Sequence, residues 1–393
     1  MSDGTLQTLD ITMLDDVGTG ANELIQLDSN AKIPACSGAA ITGLSSVTKN
    51  ASDPVIATNP SGGVGSVWQN TTSGEMFICT DATAGKNIWT NVGAGSGNIQ
   101  LTYQGENYGY AMGGYRAAYT NVIDRWSLTS DGNAADVGDM TVIKIGAAGL
   151  VDNSHGYSCG GNGPGGVNAD MVERFAFGSS SNAVDIGNLS ANHSDDPGSS
   201  QSNDMDYGYI HGGSSGNVIE RFAFGSSVTG ADVGDMLWSQ NGIGGNCSPS
   251  YGYISGGSHA TGALNIQKYA FASSGNSTDV GNMLMSTKYI GENGNSQTYG
   301  YAMGGLDPGG YSNVIQKWAY ASDSNATDVG NLLYTGNSCN SVSSTDYVYC
   351  VGGGNASSQY QHLQKVPFAT DGNSTDVGDL TANAQTDIGT CAN

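Results

Sequence analysis

Tyr108-Gly109-Tyr110-Ala111-Met112-Gly113-Gly114 decides the fold, because it comes back five times. It returns as His155-Gly156-Tyr157-Ser158-Cys159-Gly160-Gly161, then as Tyr207 to Gly213, Tyr251 to Gly257, Tyr299 to Gly305 and Tyr347 to Gly353. The first glycine of each pair stands at Gly113, Gly160, Gly212, Gly256, Gly304 and Gly352, a period of roughly 48 residues. A second element follows each copy: Val122-Ile123-Asp124-Arg125-Trp126-Ser127-Leu128, with copies starting at Met171, Val218, Asn265, Val314 and His362. A third reads Asp136-Val137-Gly138-Asp139-Met140, with copies starting at Asp185, Asp232, Asp279, Asp328 and Asp376.

Each element reads as a strand. Rings two residues apart in Tyr-Gly-Tyr share one face of a sheet, and the glycine between them thins the other face for close packing. The second element is β-branched and aromatic. Stretches such as Ser130-Asp131-Gly132-Asn133 between the second and third elements are hairpin turns. An innermost strand must then lead into each Tyr-Gly-Tyr. Ile145-Gly146, Ile243 to Cys247 and Ile290-Gly291 mark it, and Gly149, Cys247, Gly294 and Cys391 read as one of its positions, with Cys339 a further copy. The tail Asp387-Ile388-Gly389-Thr390-Cys391-Ala392-Asn393 repeats this strand with no Tyr-Gly-Tyr after it. It is therefore expected to serve as the innermost strand of the first unit, removing the open edges of the array. Four short strands per unit is the size of one propeller blade. The fold class expected is all-β, a six-bladed β-propeller over residues 101–393.

The double glycine closing the second strand, the basic-aromatic third strand and the fourth ending in Met or Leu resemble the kelch repeat. Asp-Val-Gly stands where kelch repeats usually carry Trp. Residues 1–100 lack the repeat. They read as an extended arm (1–57) and a small β hairpin or sheet element with linker (58–100). Leu24 to Ala35 with Ile41-Thr42-Gly43-Leu44 is similar to a segment of tailed-phage fibre and virion proteins. Gly65 to Asn70, Met76 to Thr83 and Asn87-Ile88-Trp89 are similar to a small β element of such proteins, marine phages included. The resemblance implies a structural virion protein: a tail or head fibre, or a decoration protein. Its arm would dock on other virion proteins, and its propeller would attach to a host-surface glycan or protein, as a homo-oligomer. The alternative it implies is a polysaccharide-degrading virion enzyme.

Composition bounds the chemistry. The formal charge is −23, which repels phosphate backbones and anionic membranes, so neither nucleic acid nor membrane insertion is expected. The seven cysteines are odd in number and form no CxxC, so buried free thiols are expected rather than disulfides. No nucleophile elbow, phosphate loop or HExxH is present, so neither enzyme activity nor a cofactor or metal is expected. Six of the 12 basic residues share one repeat position, each preceding an Asp by eleven: Arg125 and Asp136, Arg174 and Asp185, Arg221 and Asp232, Lys268 and Asp279, Lys317 and Asp328, Lys365 and Asp376. A hairpin is expected to join each as an ion pair within its own unit. Recognition is expected on the loops that follow each double glycine, which vary in length and carry Tyr115, Tyr119, Tyr311 and Tyr360.

Overall fold

The computed structural model describes residues 47–92 and 103–393, apart from 117, 167–168, 203–204, 260–263, 286, 292–293 and 382–385. The chain forms two compact units, Met1–Gln100 and Leu101–Asn393. Both are all-β in their described residues, with one short 3-10 turn at Gly213–Ser215. No helix among these residues is long and apolar enough to cross a membrane.

The first unit holds one sheet, ordered Val47–Asn50, Val67–Asn70, Met76–Asp81, Ile88–Asn91. Its core is Trp68, Phe77, Cys79 and Trp89, with the two indoles edge-on at 5.9 Å. Residue 57 is not the edge of this sheet. Val47–Asn50 adds a parallel strand to Val67–Asn70, Trp68 Nε1 donates to Ser52 O (2.9 Å), and Asn87 Nδ2 donates to Ile56 O (2.8 Å). A hairpin alone buries too little to stand in water, and the end of the expected arm supplies the missing layer. The segments at Leu24 to Ala35 and Ile41 to Leu44, and Cys36, lie outside the described residues.

The second unit holds six sheets of one plan. In each, an inner strand, the Tyr-Gly-Tyr strand, the cation-bearing strand and the Asp-Val/Ile-Gly strand pair antiparallel in that spatial order. Sheet 1 is Gly389–Ala392, Tyr108–Met112, Val122–Ser127, Ala135–Asp139. Its inner strand is the C-terminus, paired Gly389 with Met112, Thr390 with Ala111, Cys391 with Tyr110 and Ala392 with Gly109, as the orphan tail implied. The inner strands of sheets 2 to 6 are Ala148–Val151, Gly198–Gln201, Ile243–Cys247, Gly294–Asn295 and Asn340–Ser343. Each neighbours the next, and the last neighbours Gly389–Ala392. The cysteine–glycine column holds only in part: Gly294 and Cys391 share a level, opposite Tyr301 and Tyr110, whereas Gly149 lies opposite Ser158 and Cys247 opposite Gly252. The described cysteines are free and buried.

The glycine of Tyr-Gly-Tyr makes room for a ring. Gly109, Gly156, Gly208, Gly252 and Gly300 lie directly across from Trp126, Phe175, Phe222, Tyr269 and Trp318. A Cβ on Gly109 would sit 2.3 Å from the Trp126 ring. Sheet 6 has Val348 across from Val366 instead, so volume moves between strands while the layer stays filled. The second tyrosine of each motif is buried and packs on the next sheet: Tyr110 on Phe175 and Phe177, Tyr157 on Phe224, Tyr209 on Phe271, Tyr253 on Tyr320, Tyr301 on Phe368. Tyr349 completes the set by donating to Leu128 O of sheet 1 (3.2 Å).

The sheets are also latched polar group by polar group. The turn Asn133, Asn182, Asn276, Asn325 or Asn373 accepts, through Oδ1, the N–H of Asp379, Asp139, Asp235, Asn282 or Asn331 in the preceding sheet. Between sheets 2 and 3 a short parallel strand, Val228–Thr229, replaces the asparagine. A second latch uses the buried residue before each cation. Asp124, Glu173, Glu220, Gln267, Gln316 and Gln364 accept the backbone N–H of Thr381, Thr141, Ser190, Leu237, Leu284 and Leu333 in the preceding sheet. Where that acceptor is Glu, a buried side-chain nitrogen faces it: Lys144 Nζ stands 3.0 Å from Glu173, and His193 Nε2 3.1 Å from Glu220, all four side chains without solvent access. Where it is Gln267 or Gln316, the matching positions hold the uncharged Gln240 and Thr287.

The ion pairs expected inside each sheet are not formed. Arg125 lies across from Ala135, and Asp136 across from Asp124, one step away and hence on the other face. The same register separates Arg174 from Asp185, Arg221 from Asp232, Lys268 from Asp279, Lys317 from Asp328 and Lys365 from Asp376. Each of those aspartates instead accepts, through Oδ1, the N–H two residues on, at Gly138, Gly187, Gly234, Gly281, Gly330 or Gly378, and so shapes the bulge on its strand. Four of the six cations reach the next sheet. Lys268, Lys317 and Lys365 pair with the turn residues Asp323, Asp371 and Asp131. Arg174 donates to Gly225 O (2.8 Å). Five of the six also lie over the first tyrosine of their own sheet, as Arg125 does over Tyr108 at 4.6 Å.

Candidate binding site

The six inner strands enclose a narrow channel of about 70 Å³, lined largely by small residues such as Gly149, Ser199, Gly245 and Ser341. One end is capped. Tyr103 lines the channel and donates from its hydroxyl to Ser296 O (2.9 Å), Gln104 Nε2 donates to Ser344 O (2.8 Å), and Gly105 N donates to Ser343 O (2.8 Å). These are the C-terminal ends of the inner strands. At their N-terminal ends lies an open mouth of about 570 Å³, within the ~300–1,000 Å³ of small-ligand sites.

The segments leading into all six inner strands line this mouth: Ile145 and Gly146, Asp195 and Asp196, Asn241, Tyr289, Asn337 and Ser338, Thr386 and Asp387. Several are held in left-handed backbone. Gly146 and Gly242 do this freely, whereas Asp196 (φ 53°), Tyr289 (φ 54°), Ser338 (φ 51°) and Asp387 (φ 53°) carry a strain of roughly 1–2 kcal/mol each. Neighbours hold them there: Gly146 N donates to Asp387 O (2.7 Å), Tyr289 N to Gly242 O (2.9 Å) and Ser338 N to Tyr289 O (2.7 Å). The loops after the double glycines reach the same face. Each is tied to the segment leading into its own inner strand, as in Tyr115 N to Thr386 O (2.9 Å), Asn162 N to Ile145 O (2.8 Å) and Asn337 N to Gly354 O (2.8 Å).

Much of the lining is uncommitted. The side chains of Asn337 and Gln359 and the hydroxyls of Tyr115 and Tyr289 make no hydrogen bond among the described residues, and Asn162 Oδ1 has no partner. Asn355 is spent on its loop, donating to Thr335 O and Tyr360 Oη. Burial raises the Asp196 carboxyl well above the usual range, helped by the neighbouring charges of Asp387 and Asp195. Burial also raises Asp387, against hydrogen bonds from Ser338 and Thr386. The pair is therefore short of compensating positive charge.

Of the tyrosines singled out from sequence, Tyr115 lines the mouth, and Tyr119 meets its ring edge-on at 5.9 Å. Tyr360 supports from behind, stacked on Tyr334 at 4.6 Å. Tyr311 belongs to a separate two-residue hairpin, Leu306–Asp307 with Gly310–Tyr311. Sequence reasoning missed Asp195, Asp196, Tyr289, Asn337 and Asp387. The one available signal was their shared place just ahead of each inner strand. His211 is no part of the site: it is buried, 3.3 Å from Ser200 Oγ, and burial holds its imidazole down to about 3. Among the described residues no group of three or more His, Cys, Asp or Glu could hold a metal ion. No protein-family model matches this chain, and no curated protein matches it.

Proposed function

We propose that this chain is a structural protein of a tailed-phage virion, and that its second unit is a six-bladed, kelch-like β-propeller offering the mouth to a host surface. The observation that carries this reading is the polarity of the second unit. The chain comes in across one end of the channel, at Tyr103 to Gly105, and the mouth with its unspent polar groups lies at the other. That arrangement suits a protein tethered from its N-terminal side. The propeller reading is supported by six like sheets, the cyclic neighbours among inner strands and closure by the last strand. The virion reading is supported by the similarity of Leu24 to Leu44 and of Gly65 to Trp89 to segments of phage fibre proteins. Its partners would be other virion proteins through the N-terminal region, copies of itself, and a surface glycan or protein of the host. Antibody raised against the second unit should decorate purified particles; particles that lack the chain would refute the assignment.

A second reading, a polysaccharide-degrading virion enzyme, is favoured by one observation: Asp196 and Asp387 face the same cavity with both carboxyls raised, the kind of environment that keeps an acid protonated for transfer. Release of reducing ends from host polysaccharide, lost in Asp196→Asn, would select it.

A further inference from the structure

We infer that the mouth binds an uncharged saccharide and rejects acidic ones. The inference deepens the proposed attachment role, and rests on it for biological meaning only. The donor and acceptor inventory excludes the other ligand classes. Among the described residues no Lys, Arg or His lines the cavity itself, and Asp195, Asp196 and Asp387 do, so phosphates, sulfates and uronic acids find no cation in the lining to pair with; Lys288 stands next to it, its Nζ 5.5 Å from the Tyr289 ring. The lining is poor in large aliphatics, with Ile145 the main one, so a lipid or apolar ligand gains little by entering.

What remains suits a hydroxyl-rich, neutral ligand. An amide side chain offers both a donor and an acceptor, and a hydroxyl needs one of each. Asn337 and Gln359 hold such groups unused among the described residues, and a carboxyl group, which accepts in either protonation state and donates when protonated, can serve adjacent hydroxyls. Tyr115 and Tyr289 bring amphipathic rings, apolar on the face and polar at the tip, to the same cavity. The cavity of about 570 Å³ has room for a short oligosaccharide rather than a single ring. Because the segments beneath are tied together by backbone hydrogen bonds, the groups are already placed, which lowers the ordering cost of binding.

The test uses the purified full chain on an array of neutral oligosaccharides, with sialylated glycans and oligogalacturonates alongside, followed by calorimetry on any neutral glycan retained. Asn337→Leu and Gln359→Leu are the variants, since neither side chain makes a hydrogen bond among the described residues. The expected result is retention of at least one neutral glycan, no retention of acidic ones, and a loss of affinity of tenfold or more in each variant at an unchanged melting temperature. Three outcomes overturn the inference: no neutral glycan retained, acidic glycans retained as well as neutral ones, or affinity untouched by both variants. Location on the particle is measured separately, so the virion assignment and the ligand class can fail independently.

Discussion

Glu173→Gln and Lys144→Thr, made singly and together, probe how the sheets are held to one another. Lys144 and Glu173 form an ion pair at 3.0 Å with no solvent access on either side, and Glu173 also accepts from the backbone N–H of Thr141. Neutralising Glu173 leaves a buried ammonium without a counter-charge, at a cost of about 3–5 kcal/mol. Removing Lys144 leaves a buried carboxylate, with Thr141 still donating to it, and should cost about 3 kcal/mol. The double variant reproduces what the protein already uses three junctions on, where Gln316 accepts from Leu284 N and Thr287 occupies the position of Lys144. It loses only packing from the shorter side chain, about 1–2 kcal/mol. The two substitutions should therefore couple by at least ~3 kcal/mol, with the double variant more stable than either single. Urea midpoints and melting temperatures measure this, at roughly 2 °C per kcal/mol for a unit of this size. A double variant destabilised by the sum of the singles would refute the reasoning, because it would show that the charges do not see each other. A neutral Glu173→Gln would refute it too, because the ammonium would then be reaching water.

Deleting Asp387 to Asn393 should abolish cooperative folding of the second unit. Ile388 is buried, and Asn393 O alone accepts from the N–H groups of Glu106, Asn107 and Tyr108; a deletion variant that keeps the parent melting temperature would show the closing strand to be dispensable. Asp371→Ser should cost about 1 kcal/mol, since Asp371 pairs with the half-buried Lys317 and accepts from Tyr301 Oη (3.1 Å), whereas Asp131→Ser, at a side chain 58% exposed, should cost below about 0.5 kcal/mol. Urea midpoints in low and high salt separate the two. His211→Met should flatten the acid limb of stability. Its imidazole is held to about 3 in the fold against ~6.5 in an unfolded chain. As pH falls through that window the unfolded chain gains a proton the native one refuses, so the parent should lose about 3 kcal/mol more than the variant between pH 7 and pH 4.

The architecture was legible because six copies in one chain act as their own alignment. The tail Asp387 to Asn393 matched an inner strand with no partner of its own, and it pairs with Tyr108–Met112. The ion pairs were misread for a physical reason. Comparison was made along each copy, from Arg125 to Asp136, while the contacts run between copies. The signal was present in how the columns vary together. Lys268, Lys317 and Lys365 precede sheets whose turn carries Asp323, Asp371 and Asp131; Arg125, Arg174 and Arg221 precede sheets with Ser180, Ser227 and Ser274 at that place. An acid in the next sheet goes with a point-charge lysine, and its absence with an arginine, whose planar fork stacks on tyrosine or reaches a carbonyl. The mouth was less legible. Its residues sit on segments without strand periodicity, and Asp196, Tyr289 and Asp387 differ in type although they do the same thing with their backbones.

The junction between sheets 6 and 1 shows what is special about closing such an array with its own end. At the rim this junction is the equal of the others: Asp379 N donates to Asn133 Oδ1, Thr381 N to Asp124, and Lys365 pairs with Asp131. Only at the inner strand does it differ. Elsewhere a short covalent turn joins the inner strand to the Tyr-Gly-Tyr strand, whereas Gly389–Ala392 is held to Tyr108–Met112 by ladder bonds and the Asn393 contacts alone. The loss of one turn removes the local tether that keeps a detached strand close, so loop-closure entropy favours leaving at this strand over any other. Opening should therefore begin there, and amide exchange at Gly389 to Ala392 should outrun exchange at Ala148 to Val151, although both strands are equally buried in the folded ring.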